Sequence, residues 1–167
     1  MRTFEATHEP PIETDLGCPA EAHPVSECFT RKAEAGALKV YLAGPMRGLP
    51  HFNFPAFMRA AENLRAAGYE VFNPAERDEA DFGKVAAPLG DEHTFARDVG
   101  LTTDALRRRV FQADTEFICR HAAGVALLSG WERSKGACAE KALAEALGLM
   151  IFYLDADGAL VDAKVAA

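Results

Sequence analysis

The stretch Gly124-Val125-Ala126-Leu127-Leu128-Ser129-Gly130-Trp131-Glu132-Arg133-Ser134-Lys135-Gly136-Ala137-Cys138-Ala139-Glu140 decides the fold. It opens on an unbroken apolar run, the pattern of a strand covered on both faces of a parallel sheet. A glycine-bounded loop follows, and then an alanine-rich helical pattern from about Lys135 to Leu147, closed by Gly148. Working outward, Leu38–Ala43 is a first β-type run, broken by Gly44-Pro45-Met46-Arg47-Gly48-Leu49-Pro50. Asn53 is placed to cap a helix carrying Phe54, Phe57, Met58, Ala61 and Leu64 at helical spacing, with Gly68 as its stop. Tyr69–Phe72 reads as a second strand, Thr103–Arg120 as a helix with apolar positions at Leu106, Val110, Ala113, Phe117 and Cys119, and Leu149–Leu154 as a last strand. The alternation β-α-β-α-β-α-β predicts an α/β domain over 37–167, an open parallel sheet with helices on both faces. Residues 1–36 read as a mobile tail. Residues 76–100, charged and weakly periodic, read as an inserted loop, a lid or a binding segment.

Nearly half of the 167 residues are apolar (49%) and the formal net charge is −7, which argues against a nonspecific nucleic-acid coat. No apolar run reaches the length that spans a bilayer, and the acidic N-terminus lacks the apolar core of a secretory signal. Cys18, Cys28, Cys119 and Cys138 form no CxxC pair and read as reduced thiols of a cytoplasmic protein. A zinc site from Cys18, His23, Cys28 and His8 fits no common ligand spacing, so no metal and no cofactor is expected.

Ligands of such sheets bind beyond the carboxyl ends of the strands. Two loops qualify. In the first, Gly44, Pro45, Met46, Arg47 and Gly48 combine close backbone approach with a fixed guanidinium. In the second, Gly130, Trp131, Ser134 and Gly136 lead into a helix N-terminus, where free N–H groups favour an anion. Both loops are equally readable as tight turns, with Ser134 a plain N-cap. Glu140, about one turn inside the helix, is placed to present an ionised carboxylate, or it is an ordinary helix glutamate. Asp114 is either a solvent-facing helix residue or a second carboxylate in the same crevice. Tyr41 is either core or a hydroxyl donor, and Trp131 either a stacking platform or a packing residue. Cys138, in the early helix, reads as packing.

KVYLAGPMRGLPHFNFPAF, GYEVFNPAERD and ICRHAAGVALLSGWERSKGACAEKALAEALGL together resemble an uncharacterised phage and bacterial family related to the nucleoside 2-deoxyribosyltransferases and the 2′-deoxynucleoside 5′-monophosphate N-glycosidases. The resemblance covers about residues 38–154. It implies a Rossmann-like, flavodoxin-like sheet and cleavage or transfer at an N-glycosidic bond. It further implies that Glu140 is the nucleophile, Asp114 its helper, and Tyr41 and Gly44 part of the first-strand motif. Ser134, six residues before Glu140, replaces the aspartate usual in nucleoside transferases and tolerates a 5′-phosphate. Arg47 and Gly48 resemble a phosphate-holding loop, with Phe52 and Trp131 placed to cover the base. The implied partner is a small-molecule nucleotide, without nucleic acid or membrane, bound by a homo-oligomer. Two positions depart from the pattern: Ala123 stands where the family usually has aspartate, and Ser129 where it has proline. The alternative is a module that binds a nucleotide without cleaving it. A third reading is assembly with a phage or host partner through residues 1–36.

Overall fold

The computed structural model describes residues 37–83 and 90–165. The proposed tail, its cysteines and His8 and His23 lie outside them.

Among the described residues five strands form one sheet in the order β2-β1-β3-β4-β5. They are β1 (Lys39–Ala43), β2 (Glu70–Phe72), β3 (Gly124–Leu127), β4 (Met150–Leu154) and β5 (Leu160–Val165). The first four are parallel; β5 runs antiparallel to β4. The helices are α1 (Phe54–Ala66), α2 (Pro74–Phe82), α3 (Glu92–Asp98), α4 (Thr103–Arg120) and α5 (Lys135–Ala146). The α/β architecture and the four parallel strands agree with the sequence reading. β5 was not foreseen: Leu160–Val165 mixes Leu, Val and Ala with Asp and Lys, and none of its six residues is fully buried. Most of the expected loop over 76–100 is helical instead. Asn73 caps α2 through Ala75 N–H, and Asp91 caps α3 through His93 and Thr94 N–H.

Side chains alternate along the strands and divide the core in two. Val40, Leu42, Ala126, Phe152 and Leu154 pack with Phe57, Ala60 and Leu64 of α1. Tyr41, Ala43, Val125, Leu127 and Ile151 pack on the other face with Ile118 of α4 and Ala137 and Ala144 of α5. Helix α4 serves both layers, because Leu106 near its start joins the first cluster. Cys119, expected on its apolar face, is exposed.

The parallel pairing of β3 with β4 depends on glycine. A Cβ on Gly124 would lie 2.6 Å from Phe152 Cε2 and 2.8 Å from Met150 O, and a backbone oxygen cannot step aside. Gly124→Ala is therefore expected to lower unfolding stability by about 1–3 kcal/mol in urea titration, the range for overpacking a close-packed core. Unchanged stability would mean that β3 and β4 are spaced more widely than described.

Candidate active site

The chain turns from β1 to β2 on one side and reaches β3 on the other, so a crevice opens between β1 and β3 at their carboxyl ends. A cavity of about 370 Å³ lies there. Its walls come from the loop after β1, the start of α1, α3, α4 and the start of α5.

The loop after β1 is pinned by packing and by one side-chain bond. A Cβ on Gly44 would meet Leu128 Cβ and Cδ1 at 2.8 Å, so this glycine serves close packing. His51, Phe52 and Asn53 all take left-handed backbone angles (φ 50°, 51° and 60°), an uncommon run for residues with side chains. Phe52 holds that run by burying its ring against Phe54 and Phe95, at centroid distances of 6.2 and 5.6 Å. Asn53 precedes α1 as expected but makes no side-chain cap; its Nδ2 donates to Pro45 O at 2.9 Å and braces the loop.

Three ionisable groups meet at the buried end. Tyr41 Oη donates to Glu140 Oε1 at 2.8 Å, joining β1 to α5. Asp114 of α4 is equally buried, and its Oδ1 has no hydrogen-bond partner. Arg77 Nη2 lies 3.7 Å from that oxygen and donates to Asp78 Oδ1 at 2.8 Å. Burial pushes the Glu140 carboxyl up to about 8, with the Asp114 charge adding to it and the Tyr41 hydrogen bond and Arg47 opposing. Burial likewise pushes Asp114 up to about 7, against the pull of Arg77. Tyr41 is raised well above its usual value, by burial first and then by both carboxylates. Glu140 was expected to stay ionised by the helix terminus. It lies beyond the first turn of α5, where the dipole has faded, and desolvation wins.

Cations occupy the exposed rim. Arg47, Arg107, Arg133 and Lys135 all line the cavity with their residues exposed. Ser134 caps α5, accepting from Ala137 N–H at 3.3 Å, and lines the cavity beside Gly136. Thus Tyr41, Gly44, Pro45, Met46, Arg47, Phe52, Asp114, Ser134, Gly136 and Glu140 converge as the sequence suggested. Gly48, Gly130 and Trp131 are not on the wall. Gly130 takes a left-handed turn (φ 83°) close under the Arg133 guanidinium. Trp131 packs toward Tyr153 and Lys141, so its expected stacking role finds no support within one chain. Cys138 packs over the Trp131 and Glu132 carbonyls, as expected.

Sequence reasoning missed Asp78, Glu92, Phe95, Arg107, Arg133 and Lys135 on the wall, and Arg77 behind it. Arg133 and Lys135 flank the Ser134 cap and were legible as basic neighbours of a helix N-terminus. Arg107 sits in a run of three arginines, whose facing cannot be told from composition. Ala123, the departure from the expected aspartate, is at the amino end of β3, its N–H on Lys39 O and its C=O accepting from Met150 N–H. It is about 13 Å of strand from the crevice end, at 3.3 Å per residue. Among the described residues no group of acidic, histidine or cysteine side chains is arranged to hold a metal ion, and no helix is long and apolar enough to cross a membrane.

The two displaced carboxyls make stability depend on pH in a definite direction. Their folded pKa values lie above the roughly 4 of an unfolded chain, so the folded state holds more protons between about pH 4 and pH 8. Their contribution is complete below that window and is lost as pH rises through it. A Glu140→Gln, Asp114→Asn double variant is expected to flatten the fall in unfolding free energy between about pH 4 and pH 8, by about 2 kcal/mol or more. Parallel profiles for parent and variant would contradict buried, protonated carboxyls.

Among curated proteins none matches the chain. A family model described as "Domain of unknown function (DUF4406)" matches residues 38–153, which takes in β1 through nearly all of β4 and every residue of the cavity wall, but not β5. The chain belongs to that family.

Proposed function

We propose that the chain breaks or transfers the N-glycosidic bond of a (deoxy)nucleoside 5′-monophosphate, with Glu140 as nucleophile. The observation that carries this reading is the buried Tyr41–Glu140 pair beside Asp114, at the closed end of a cavity whose rim is cationic. The resemblance in the three sequence blocks supports the same assignment.

The phosphate sits at the rim, against the start of α5 and Arg133 and Lys135, where free N–H groups and positive charge favour an anion. The sugar reaches inward, and the base lies against Met46, Phe52 and Phe95. The coupled carboxyls share one proton: the lower pKa of Asp114 puts the charge there first, and the reactive form is the one in which the proton has passed to Asp114 and the negative charge stands on Glu140. The Glu140 carboxylate attacks C1′. The C1′–N bond breaks, its electron pair leaves with the base, and Asp114 supplies the proton the base nitrogen needs. Water then adds to C1′, giving its proton to Asp114, and the C1′–O bond to Glu140 breaks, which restores the Glu140 carboxylate and the protonated Asp114. An acceptor base in place of water makes the reaction a transfer. Tyr41 stabilises the carboxylate by donating to it and gives it up as charge moves to the sugar. The homo-oligomer implied by the resemblance and the cytoplasmic setting read from the cysteines belong to this proposal.

A second reading, a nucleotide-binding module without turnover, draws on the raised pKa of Glu140: a protonated acid donates a hydrogen bond but does not attack.

The test is release of free base from a panel of nucleoside 5′-monophosphates, with and without an added acceptor base. The parent chain is expected to release base. Glu140→Gln, which keeps an acceptor for Tyr41, is expected to lose activity by at least about a thousandfold while binding is kept. The pH profile of kcat/KM is expected to be bell-shaped, reporting the coupled pair. Binding of monophosphates without release, even with the acceptor present, selects the second reading.

A further inference from the structure

We propose that Glu92 is a fixed counter-charge that limits the cavity to ligands carrying one phosphoryl group and excludes di- and triphosphates. The inference takes the nucleotide from the reading above and the charge argument from the rim alone.

Among the described residues four cations line the cavity, but they are not equivalent. Glu92 grips Arg107 through both oxygens, accepting from Nε at 2.9 Å and from Nη2 at 2.7 Å. Its Oε1 also lies 3.8 Å from Arg47 Nε. One carboxylate thus stands between two guanidinium groups, with its side chain only 14% exposed. Arg133 and Lys135, by contrast, form no ion pair with any described acid, and they flank the start of α5. Of the remaining acids on the wall, Asp78 is held by Arg77, and Glu140 by Tyr41. Asp114 faces Arg77 from 3.7 Å. Among the described residues the rim therefore has one uncompensated cationic patch, at Arg133, Lys135 and the α5 terminus, and one patch, at Arg47 and Arg107, whose charge Glu92 already halves.

Glu92 does not sit there loosely. Gly48 N–H donates to Gly90 O at 3.2 Å, and a Cβ on Gly90 would collide with Leu49 O. That backbone contact seats the start of α3 directly on the loop that carries Arg47. Asp91 then caps the helix, so the residue that follows it is held at the rim. A second phosphoryl group reaching toward Arg47 and Arg107 meets a carboxylate of its own sign in a partly desolvated position, and like charge there discriminates against the longer ligand.

The experiment is calorimetric titration of the whole chain with inorganic phosphate, inorganic pyrophosphate, and one nucleoside 5′-monophosphate and its diphosphate. The parent and Glu92→Gln are compared, with circular dichroism confirming that both are folded. Glutamine keeps the shape and an acceptor for Arg107 while removing the charge. Expected is a rise of roughly tenfold or more in pyrophosphate and diphosphate affinity for Glu92→Gln, with phosphate and monophosphate changing less than about threefold, since charge at the second phosphoryl position is what the variant alters. Adding Arg107→Gln to Glu92→Gln is expected to abolish the gain. An unchanged ratio overturns the proposal, as does equal weakening of all probes, which would make Glu92 a support for the arginines. No binding of either inorganic probe by either protein overturns it too. If pyrophosphate binding rises in the variant but no nucleotide binds either protein, the role of Glu92 stands and the nucleotide reading falls. If the monophosphate binds the parent and the ratios do not move, the reverse holds.

Discussion

A phenol hydrogen-bonded to a carboxylate in the core ties the molecule together. Tyr41 belongs to the first strand and Glu140 to the last helix, 99 residues apart, and their 2.8 Å bond closes the crevice between β1 and α5. A buried carboxyl without a donor is costly, so Glu140 fits its place only when β1 turns Tyr41 toward α5. A slip of one residue in β1 would point Tyr41 at α1 and put Leu42 against the acid. The register therefore has chemical as well as apolar support. The Tyr41 ring is fixed by Phe72 of β2 and Phe117 of α4, with centroids 5.7 and 6.5 Å away. The edge strand and the long helix thus take part in aiming one hydroxyl.

Charge in the crevice is graded by depth. Asp78, Asp114 and Glu140 are buried, whereas Arg47, Arg107, Arg133 and Lys135 are exposed. Solvent screens the rim cations, so Arg47 lowers the Glu140 pKa only as a lesser influence beneath burial, Asp114 and Tyr41. Among the described residues Arg77 is the one cation inside the acidic layer, and burial opposes its charge while Asp114 and Asp78 hold it. The separation keeps two functions apart. Ligand charge is met at the surface, where exchange with water is cheap, and proton-sharing groups stay in the interior, where their pKa values lie near neutrality.

Much of this was legible because strands and helices have periods. The apolar β3 run, the glycine stops and the long Thr103–Arg120 helix emerge as expected. The site also had a periodic signature that acid type alone does not give. Leu106, Val110, Asp114 and Ile118 recur every four residues on α4, and Ala137, Glu140 and Ala144 follow the buried face of α5. An acid on a row that periodicity reserves for the core is either paired or functional. What was illegible depended on long-range placement. Asn73 and Asp91 start α2 and α3, respectively, in a segment too polar to show a helical face. Trp131 looked like a ligand platform by its place in the loop, yet a 3₁₀ turn over 131–133 directs it toward β4. Glu92 meets Arg107 only because α3 folds back on the loop after β1, a contact that backbone approach at Gly90 permits and sequence spacing does not encode.

The strained loop after β1 follows from the same division of labour. Three consecutive left-handed residues are costly, on the order of 1–3 kcal/mol each where context does not relieve them. Phe52 and Asn53 supply the relief, one by burial and the other by bonding Pro45 O. The conformation places an aromatic wall at Phe52 and a guanidinium at Arg47 on one short loop, the first facing the interior and the second solvent. A regular helix entry would separate them along the axis. For a ligand that is apolar at one end and anionic at the other, the loop supplies both kinds of contact from a rigid base at Gly44, whose packing against Leu128 couples it to the end of β3. The two strand-end loops are therefore one surface, joined through the core residue that follows β3, and a change in either is felt by the other.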